Sequence, residues 1–170
     1  MGASVVIDVA PFDRCVCDRM VNAHDLCEGA LTLSERGKKV RLSLRPGEQA
    51  KAIVIDGCVL QDNHPKCDGL FLFLGNHRAA ALLVELKGTD IQHAFEQLKS
   101  VRECRREYAN LIERLRSCGQ GRVTEKAFVV SSRMVSKPEH ERWENQVGIR
   151  VTAILHSEAA SPIPDLRAYL

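Results

Sequence analysis

Three charged residues could carry chemistry together in this sequence: Asp68, Glu85 and Lys87. They lie at the ends of two apolar runs that a short polar turn separates, which is the pattern of a β-hairpin. If the turn is centred between positions 76 and 77, Asp68 lies directly opposite Glu85 on the second strand. Lys87 follows Glu85 by two positions, so its side chain points to the same face. The pattern therefore predicts two carboxylates and an ammonium group at one end of an apolar hairpin.

Directly opposed carboxylates repel each other, so a positive charge is expected between them. Mg²⁺ and Mn²⁺ prefer oxygen ligands, and Mg²⁺ is usually held by one or two carboxylates together with waters and phosphate oxygens. Such an ion polarises a phosphodiester and lowers the pKa of a bound water, while a nearby lysine stabilises the charge that builds on phosphorus. We predict that Asp68 and Glu85 bind Mg²⁺ or Mn²⁺ and that Lys87 assists the attacking water.

This pattern resembles the PD-(D/E)XK nuclease superfamily, which places an acidic residue on one strand, the sequence (D/E)-x-K on the next, and a helix after it. The matching residues are Asp68 and the tripeptide Glu85-Leu86-Lys87. Gln97 is similar to a glutamine that some branches of the superfamily place near the site. The resemblance covers about residues 40–130, with Cys67 in place of the leading proline.

The resemblance implies a restriction-endonuclease-like core and a Mg²⁺- or Mn²⁺-dependent nuclease, with DNA favoured over RNA as the substrate. Many members add an acidic residue from a preceding helix. The candidates here are Glu28, Glu35 and Glu48, among which the sequence does not choose. Target choice would come from loops, from a homodimer or from a separate specificity partner. Two alternatives stay open: a catalytically inactive nucleic-acid-binding or interaction module of the same fold, and an unrelated α/β protein in which the three residues form only a salt bridge.

The elements around these residues indicate an α/β fold, in which a mixed β-sheet is covered by a long helix. We predict two hairpins, a long amphipathic helix, a strand, a short helix and a last strand. Their positions are 40–44 with 52–59, 69–74 with 79–86, 91–115, 127–131, 138–146 and 149–155. Thr89 begins the long helix as a capping-box residue, and Gly119 and Gly121 mark its end.

The chain of 170 residues is 45% hydrophobic, which is enough for one domain with its own core over residues 1–170. We divide it into an N-terminal cysteine-containing segment (1–38), a core (40–155) and a tail (156–170). The net charge of +2 excludes the strong basic excess of a nucleic-acid coat protein, so a polyanion would bind a local patch. The sequence lacks the Walker A, dinucleotide-binding and G-x-S-x-G motifs, which argues against those enzyme classes.

Seven cysteines are spread through the chain, and the first residues lack the charged and apolar parts of a secretory signal. We therefore expect a cytoplasmic protein with reduced thiols. We expect no membrane partner, because the apolar runs are too short to span a bilayer.

The N-terminal segment contains four potential zinc ligands, Cys15, Cys17, His24 and Cys27. Their spacing is irregular, so the sequence leaves zinc binding open. We expect these cysteines, and Cys58, to be buried or free thiols.

Overall fold

The computed structural model describes residues 5–18, 24–119 and 121–170, so positions 1–4 and 19–23 of the predicted N-terminal segment lie outside the described part. Within these ranges the chain forms eight β-strands and three α-helices. The strands are β1 (Cys27–Gly29), β2 (Thr32–Glu35), β3 (Lys38–Arg41), β4 (Gln49–Val54), β5 (Gly69–Gly75), β6 (Arg78–Leu86), β7 (Val123–Ser131) and β8 (Ala153–His156). The helices are α1 (Ile91–Cys104), α2 (Arg106–Cys118) and α3 (Lys137–Val147).

The larger of the two sheets is mixed and has five strands, in the order β4-β5-β6-β7-β8. β4, β5 and β6 are antiparallel to one another, whereas β6, β7 and β8 are parallel. β6 is buried along nearly its whole length, and α1 and α2 pack against β6 and β7. The predicted α/β class with a mixed sheet is confirmed. A separate sheet of β1, β2 and β3 was not predicted.

The second predicted hairpin is present with the predicted register. Gly69 lies opposite Val84 and Gly75 lies opposite Arg78, which centres the turn between positions 76 and 77. Both strands are buried, so a slip by one residue would exchange the faces of every side chain and is strongly disfavoured. One position beyond the Gly69 pair, Asp68 therefore faces Glu85, which lies within β6.

The first predicted hairpin, between 40–44 and 52–59, is wrong. β3 pairs with β2 in the small sheet, while β4 pairs with β5 in the large one. Alternating hydrophobicity indicates a strand but does not name its partner, because the alternation is the same in either sheet. The turn that does form a hairpin here is Arg36-Gly37, where both residues have positive φ angles of 50° and 80°.

The predicted long helix is two helices, because Arg105 between them has an extended backbone with φ −109° and ψ 119°. Its guanidinium group donates to Asp62 Oδ1 at 3.0 Å, and its side chain is only 10% exposed. The apolar residues keep one helical period across this break, so periodicity does not reveal it. The start is also displaced by one residue: Asp90, not Thr89, accepts a hydrogen bond from the His93 amide. Gly119 ends α2 as predicted.

The expectation of reduced thiols is wrong for four of the cysteines. Disulfides join Cys15 to Cys58 and Cys17 to Cys27, which ties the N-terminal segment to the large sheet's first loop and to β1. Zinc binding by Cys15, Cys17, His24 and Cys27 is not compatible with these bridges, because all three sulfurs are already bonded. A three-stranded sheet of short strands buries little core by itself, so covalent links stabilise it efficiently.

The cytoplasmic location stays a prediction. The two disulfides do not favour it, because disulfides persist mainly in oxidising environments and the cytosol is reducing. None of the described helices is long and apolar enough to cross a membrane.

The remaining differences between prediction and structure concern the ends of the elements. β7 begins at Val123 rather than 127, and β8 covers only Ala153–His156. Within the tail, Leu166 is fully buried in a short 3₁₀ helix.

Candidate functional site

The carboxylates of Asp68 and Glu85 each accept a hydrogen bond from a backbone amide across the hairpin, where β5 begins and β6 ends. The backbone amide of Leu86 donates to Asp68 Oδ2 at 2.7 Å, and the amide of Asp68 donates to Glu85 Oε2 at 3.1 Å. The two acids are only 9% and 3% exposed. Each carboxylate is therefore fixed by a backbone amide from the opposite side of the hairpin, and both side chains have little freedom to turn away.

Burial makes this pair electrostatically unusual. Loss of hydration raises the pKa of Glu85 to about 10, and the adjacent Asp68 carboxylate adds to that rise. Burial also raises the pKa of Asp68 to about 7, with a further contribution from the negative charge of Glu35. The pair therefore cannot be fully ionised at neutral pH unless a cation compensates its charge.

Lys87 lies at the same end of the hairpin, one residue beyond the last residue of β6. Its backbone amide donates to the carbonyl of Val130, which continues the parallel pairing of β6 with β7. Its ammonium group donates to Gln97 Oε1 at 3.3 Å, and Gln97 Nε2 donates in turn to the carbonyl of Lys66 at 3.0 Å. Gln97 on α1 thus connects Lys87 to the chain just before Asp68.

Asp68, Glu85, Lys87 and Gln97 all line one cavity of about 330 Å³, which we call the acidic cavity. Its lining residues are Glu35, Arg36, Lys38, Asp56, Asp68, Glu85, Leu86, Lys87, Gly88 and Gln97. The structure therefore brings together the three residues that the sequence predicted, together with Gln97. It also brings four carboxyl groups and three cationic side chains into one space.

Of the three upstream acids left open by the sequence, Glu35 lines the acidic cavity. It lies at the end of β2, which is a strand rather than the helix that the resemblance implies. Glu28 instead pairs with Lys39 at 2.7 Å on an exposed surface. Glu48 accepts hydrogen bonds from Arg167. Tertiary packing thus selects one candidate and gives the other two an ion-pair partner.

Sequence reasoning missed three residues that line the acidic cavity: Arg36, Lys38 and Asp56. Arg36 and Lys38 belong to the hairpin of β2 and β3, which was not predicted. Asp56 follows β4, and its backbone amide lies 3.4 Å from the carbonyl of Asp68. An Asp56-Gly57 pair at the end of an apolar run is a turn signal, but it gives no indication of nearness to Asp68.

The donors that face the acidic cavity include carboxylate oxygens, which suit a hard cation such as Mg²⁺ or Mn²⁺. Across residues 5–18, 24–119 and 121–170, no group of three or more His, Cys, Asp or Glu side chains is placed to hold a metal ion. Asp68 and Glu85 offer two oxygen ligands, and Mg²⁺ commonly retains waters or binds phosphate oxygens at its other positions. The donor set therefore fits such an ion held by two carboxylates rather than by a complete protein cage.

Comparison with known proteins gives no match, whether to a family model, to a curated protein or to a solved structure. The acidic cavity, with its buried carboxyl pair, its lysine and its glutamine, is therefore the basis on which function is inferred below.

Proposed function

We propose that this protein hydrolyses phosphodiester bonds in nucleic acids with the help of Mg²⁺ or Mn²⁺, DNA being favoured over RNA. The observation that supports this is the buried pair of Asp68 and Glu85, which shares the acidic cavity with Lys87. Two buried carboxylates are unfavourable without a compensating cation, and a divalent ion would compensate both. A pair of acids with shifted pKa values in a cavity is also typical of catalytic sites.

Each residue of the site has a distinct part in this proposal. Asp68 and Glu85 bind the metal ion, which, when bound, polarises the phosphodiester and lowers the pKa of a water molecule. Lys87 stabilises negative charge on a phosphate oxygen or orients the attacking water. Gln97 acts through Lys87: its side-chain oxygen accepts a hydrogen bond from the ammonium group and so orients it, which makes Gln97 a positioning residue.

The order of elements supports the same proposal. The β5–β6 hairpin leads through α1 and α2 to the parallel strand β7, and the (D/E)-x-K tripeptide lies at the junction of β6 with the following segment. This is the order of hairpin, helix and strand that the resemblance to the PD-(D/E)XK superfamily implies. We propose accordingly that the sheet of β4 to β8 is a restriction-endonuclease-like core.

Calorimetric titration with MnCl₂, followed by cleavage assays on duplex DNA and on RNA, tests the proposal. The wild type should bind Mn²⁺ and cut DNA in its presence, whereas Asp68→Asn and Glu85→Gln should lose both properties. Glu28→Gln is the matched control, because it removes one carboxylate from an exposed pair with Lys39 and should leave both properties unchanged.

The outcomes separate the alternatives. Wild-type protein that binds no Mn²⁺ and cuts neither substrate would contradict the proposal and leave the three residues as a structural ion cluster. If it bound DNA under those conditions, the non-catalytic module of the same fold would be favoured. Cleavage of RNA in preference to DNA would reverse the proposed substrate preference while keeping the chemistry.

A further inference from the structure

The turn between β2 and β3 has an arginine where turn geometry alone does not favour one. Glu35 pairs with Lys38, so the loop consists of only Arg36 and Gly37, both with positive φ. Two-residue turns of this kind favour Asn-Gly, Asp-Gly or Gly-Gly, because a side chain with a Cβ is disfavoured at positive φ. Non-glycine residues held in such conformations are concentrated at functional sites. Arg36 therefore calls for an explanation beyond the turn.

Arg36 lines the acidic cavity, and it differs there from the other two cationic residues. Lys38 donates to the carbonyl of Arg36 at 3.3 Å, and Lys87 donates to Gln97 at 3.3 Å. The guanidinium group of Arg36 forms neither an ion pair nor a hydrogen bond with any residue in the described part of the chain. It is an exposed cation at the rim of the cavity with its hydrogen-bond donors available.

The position of Arg36 relative to Asp68 is fixed by packing. Leu33 of β2 lies against Gly69, so closely that a Cβ atom on Gly69 would be 2.5 Å from Leu33 Cδ1. Gly69 directly follows Asp68, so the small sheet contacts the large one beside the buried carboxyl pair. The disulfide between Cys17 and Cys27 further anchors β1, the neighbour of β2. Packing of Leu33 and the disulfide at β1 thus place the turn beside the cavity.

We infer that Arg36 binds a backbone phosphate of the nucleic acid that the acidic cavity acts on, an inference that rests on the proposed function. Guanidinium groups bind phosphate through two parallel hydrogen bonds, and they do so better than ammonium groups because of their fork geometry. An anionic strand that enters a cavity with four carboxyl groups meets repulsion, which a free arginine at the rim offsets. A contact to phosphate carries no base information, so Arg36 contributes affinity and register but no sequence preference.

Arg36→Asn tests this inference without risking the fold, since Asn-Gly is the favoured pair for this turn and should preserve or raise the thermal midpoint. The measurement is fluorescence anisotropy of a labelled duplex DNA over a range of salt concentrations, with EDTA present. We expect the variant to bind about tenfold more weakly at low salt and to reduce the slope of log K against log salt by about one. Arg36→Lys should restore part of the affinity.

Arg122→Asn is the matched control, because it removes an exposed arginine that lines a different cavity. If Arg36→Asn binds DNA with the same affinity and salt slope as Arg122→Asn, the inference is wrong. Mn²⁺ calorimetry separates this result from a failure of the proposed function: Arg36→Asn should bind Mn²⁺ like the wild type. Loss of Mn²⁺ binding in Arg36→Asn would assign the arginine to support of the metal site and overturn the phosphate role.

Discussion

In two groups of ionisable residues in this molecule, the pKa values of the acids are shifted in opposite directions. In the acidic cavity, Asp68 and Glu85 are buried together and their pKa values rise. In a second group, which we call the Glu48 cluster, Arg167 donates to both carboxylate oxygens of Glu48, one of them at 2.8 Å. The amide of Arg45 also donates to Glu48 at 2.7 Å. These hydrogen bonds, with Arg167 as the largest cause, lower the pKa of Glu48 to about 2.

The difference shows how a structural acid is distinguished from a candidate catalytic one. Glu48 meets a guanidinium group of matching geometry, so its charge is satisfied within the chain and needs no ligand. Glu85 meets another carboxylate and one backbone amide, and the nearby charge of Lys87 lowers its pKa less than burial and Asp68 raise it. The chain therefore compensates the charge of Glu85 incompletely, and a proton or an external cation would complete the compensation. Both acids lie in partly or fully buried positions, so burial alone does not separate them.

Lys87→Ala should have the largest effect in this comparison. If Lys87 stabilises charge on phosphorus, its removal should lower kcat by on the order of 10²–10³. Mn²⁺ affinity should stay the same or increase, because a cation beside the site opposes metal binding. Single-turnover cleavage and calorimetry measure the two quantities, and Glu48→Gln serves as the variant whose kcat should not change. A parallel loss of metal affinity and turnover in Lys87→Ala would instead make the lysine part of the metal site.

Asp68→Ala and Glu85→Ala should destabilise the protein more than the corresponding amides do. Each alanine leaves a backbone amide of the hairpin without its acceptor, which costs about 1–3 kcal/mol of unfolding free energy. The amide variants Asp68→Asn and Glu85→Gln keep an oxygen acceptor and remove one of two opposed acids. Urea unfolding of the two alanine and the two amide variants measures the difference. Equal stability of amide and alanine variants would show that the interlocking hydrogen bonds contribute little.

The two groups should give pH dependences of opposite sign in metal-free protein. Burial and the adjacent Asp68 raise the pKa of Glu85 from 4.5 to about 10, so the folded state binds more protons than the unfolded state between these values. Stability from this group is full below pH 4.5 and falls as pH rises through that window. Asp68 acts in the same direction between its unfolded value of 3.8 and about 7. For Glu48 the unfolded state binds more protons, so stability falls as pH decreases from 4.5 to about 2.

Urea midpoints at a series of pH values, measured with EDTA present, test these signs. Glu85→Gln should flatten the loss of stability on the alkaline side, whereas Glu48→Gln should flatten the loss on the acidic side. Each variant is the control for the other. An alkaline loss that persists unchanged in Glu85→Gln would mean that other groups control the upper range.

The smallest expected effect is the thermal shift caused by Mn²⁺. At a concentration of about ten times Kd, Mn²⁺ should raise the unfolding midpoint by only a few degrees. The shift should grow from slightly acidic to alkaline pH, because protons compete with the ion for the two carboxylates. Differential scanning fluorimetry of the wild type and Asp68→Asn measures it. A shift of the same size at all pH values, or one retained in Asp68→Asn, would argue for binding elsewhere.

Several features of the candidate site were predictable because they depend on local pairing. The turn after β5 and the two buried strands determine one register, and that register alone places Asp68 opposite Glu85 and Lys87 on the same face. Gln97 follows from the start of α1, which periodicity also located to within a residue. These relations span short stretches of chain, in which hydrogen-bond geometry leaves few alternatives.

The tertiary structure alone decided the rest. The acidic cavity is also lined by Glu35 and Arg36, from the hairpin of β2 and β3, and by Asp56, which follows β4. The alternation of apolar and polar residues does not show which strands these elements pair with. At the break between α1 and α2, Arg105 donates to Asp62, which lies 43 positions earlier in the chain. The pairing of four cysteines likewise depends on which sulfurs packing brings within bonding distance. Local sequence determines strands, turns and register through backbone geometry. The convergence of distant side chains depends instead on how complete elements pack, and the energy of that packing is shared among many residues along the chain.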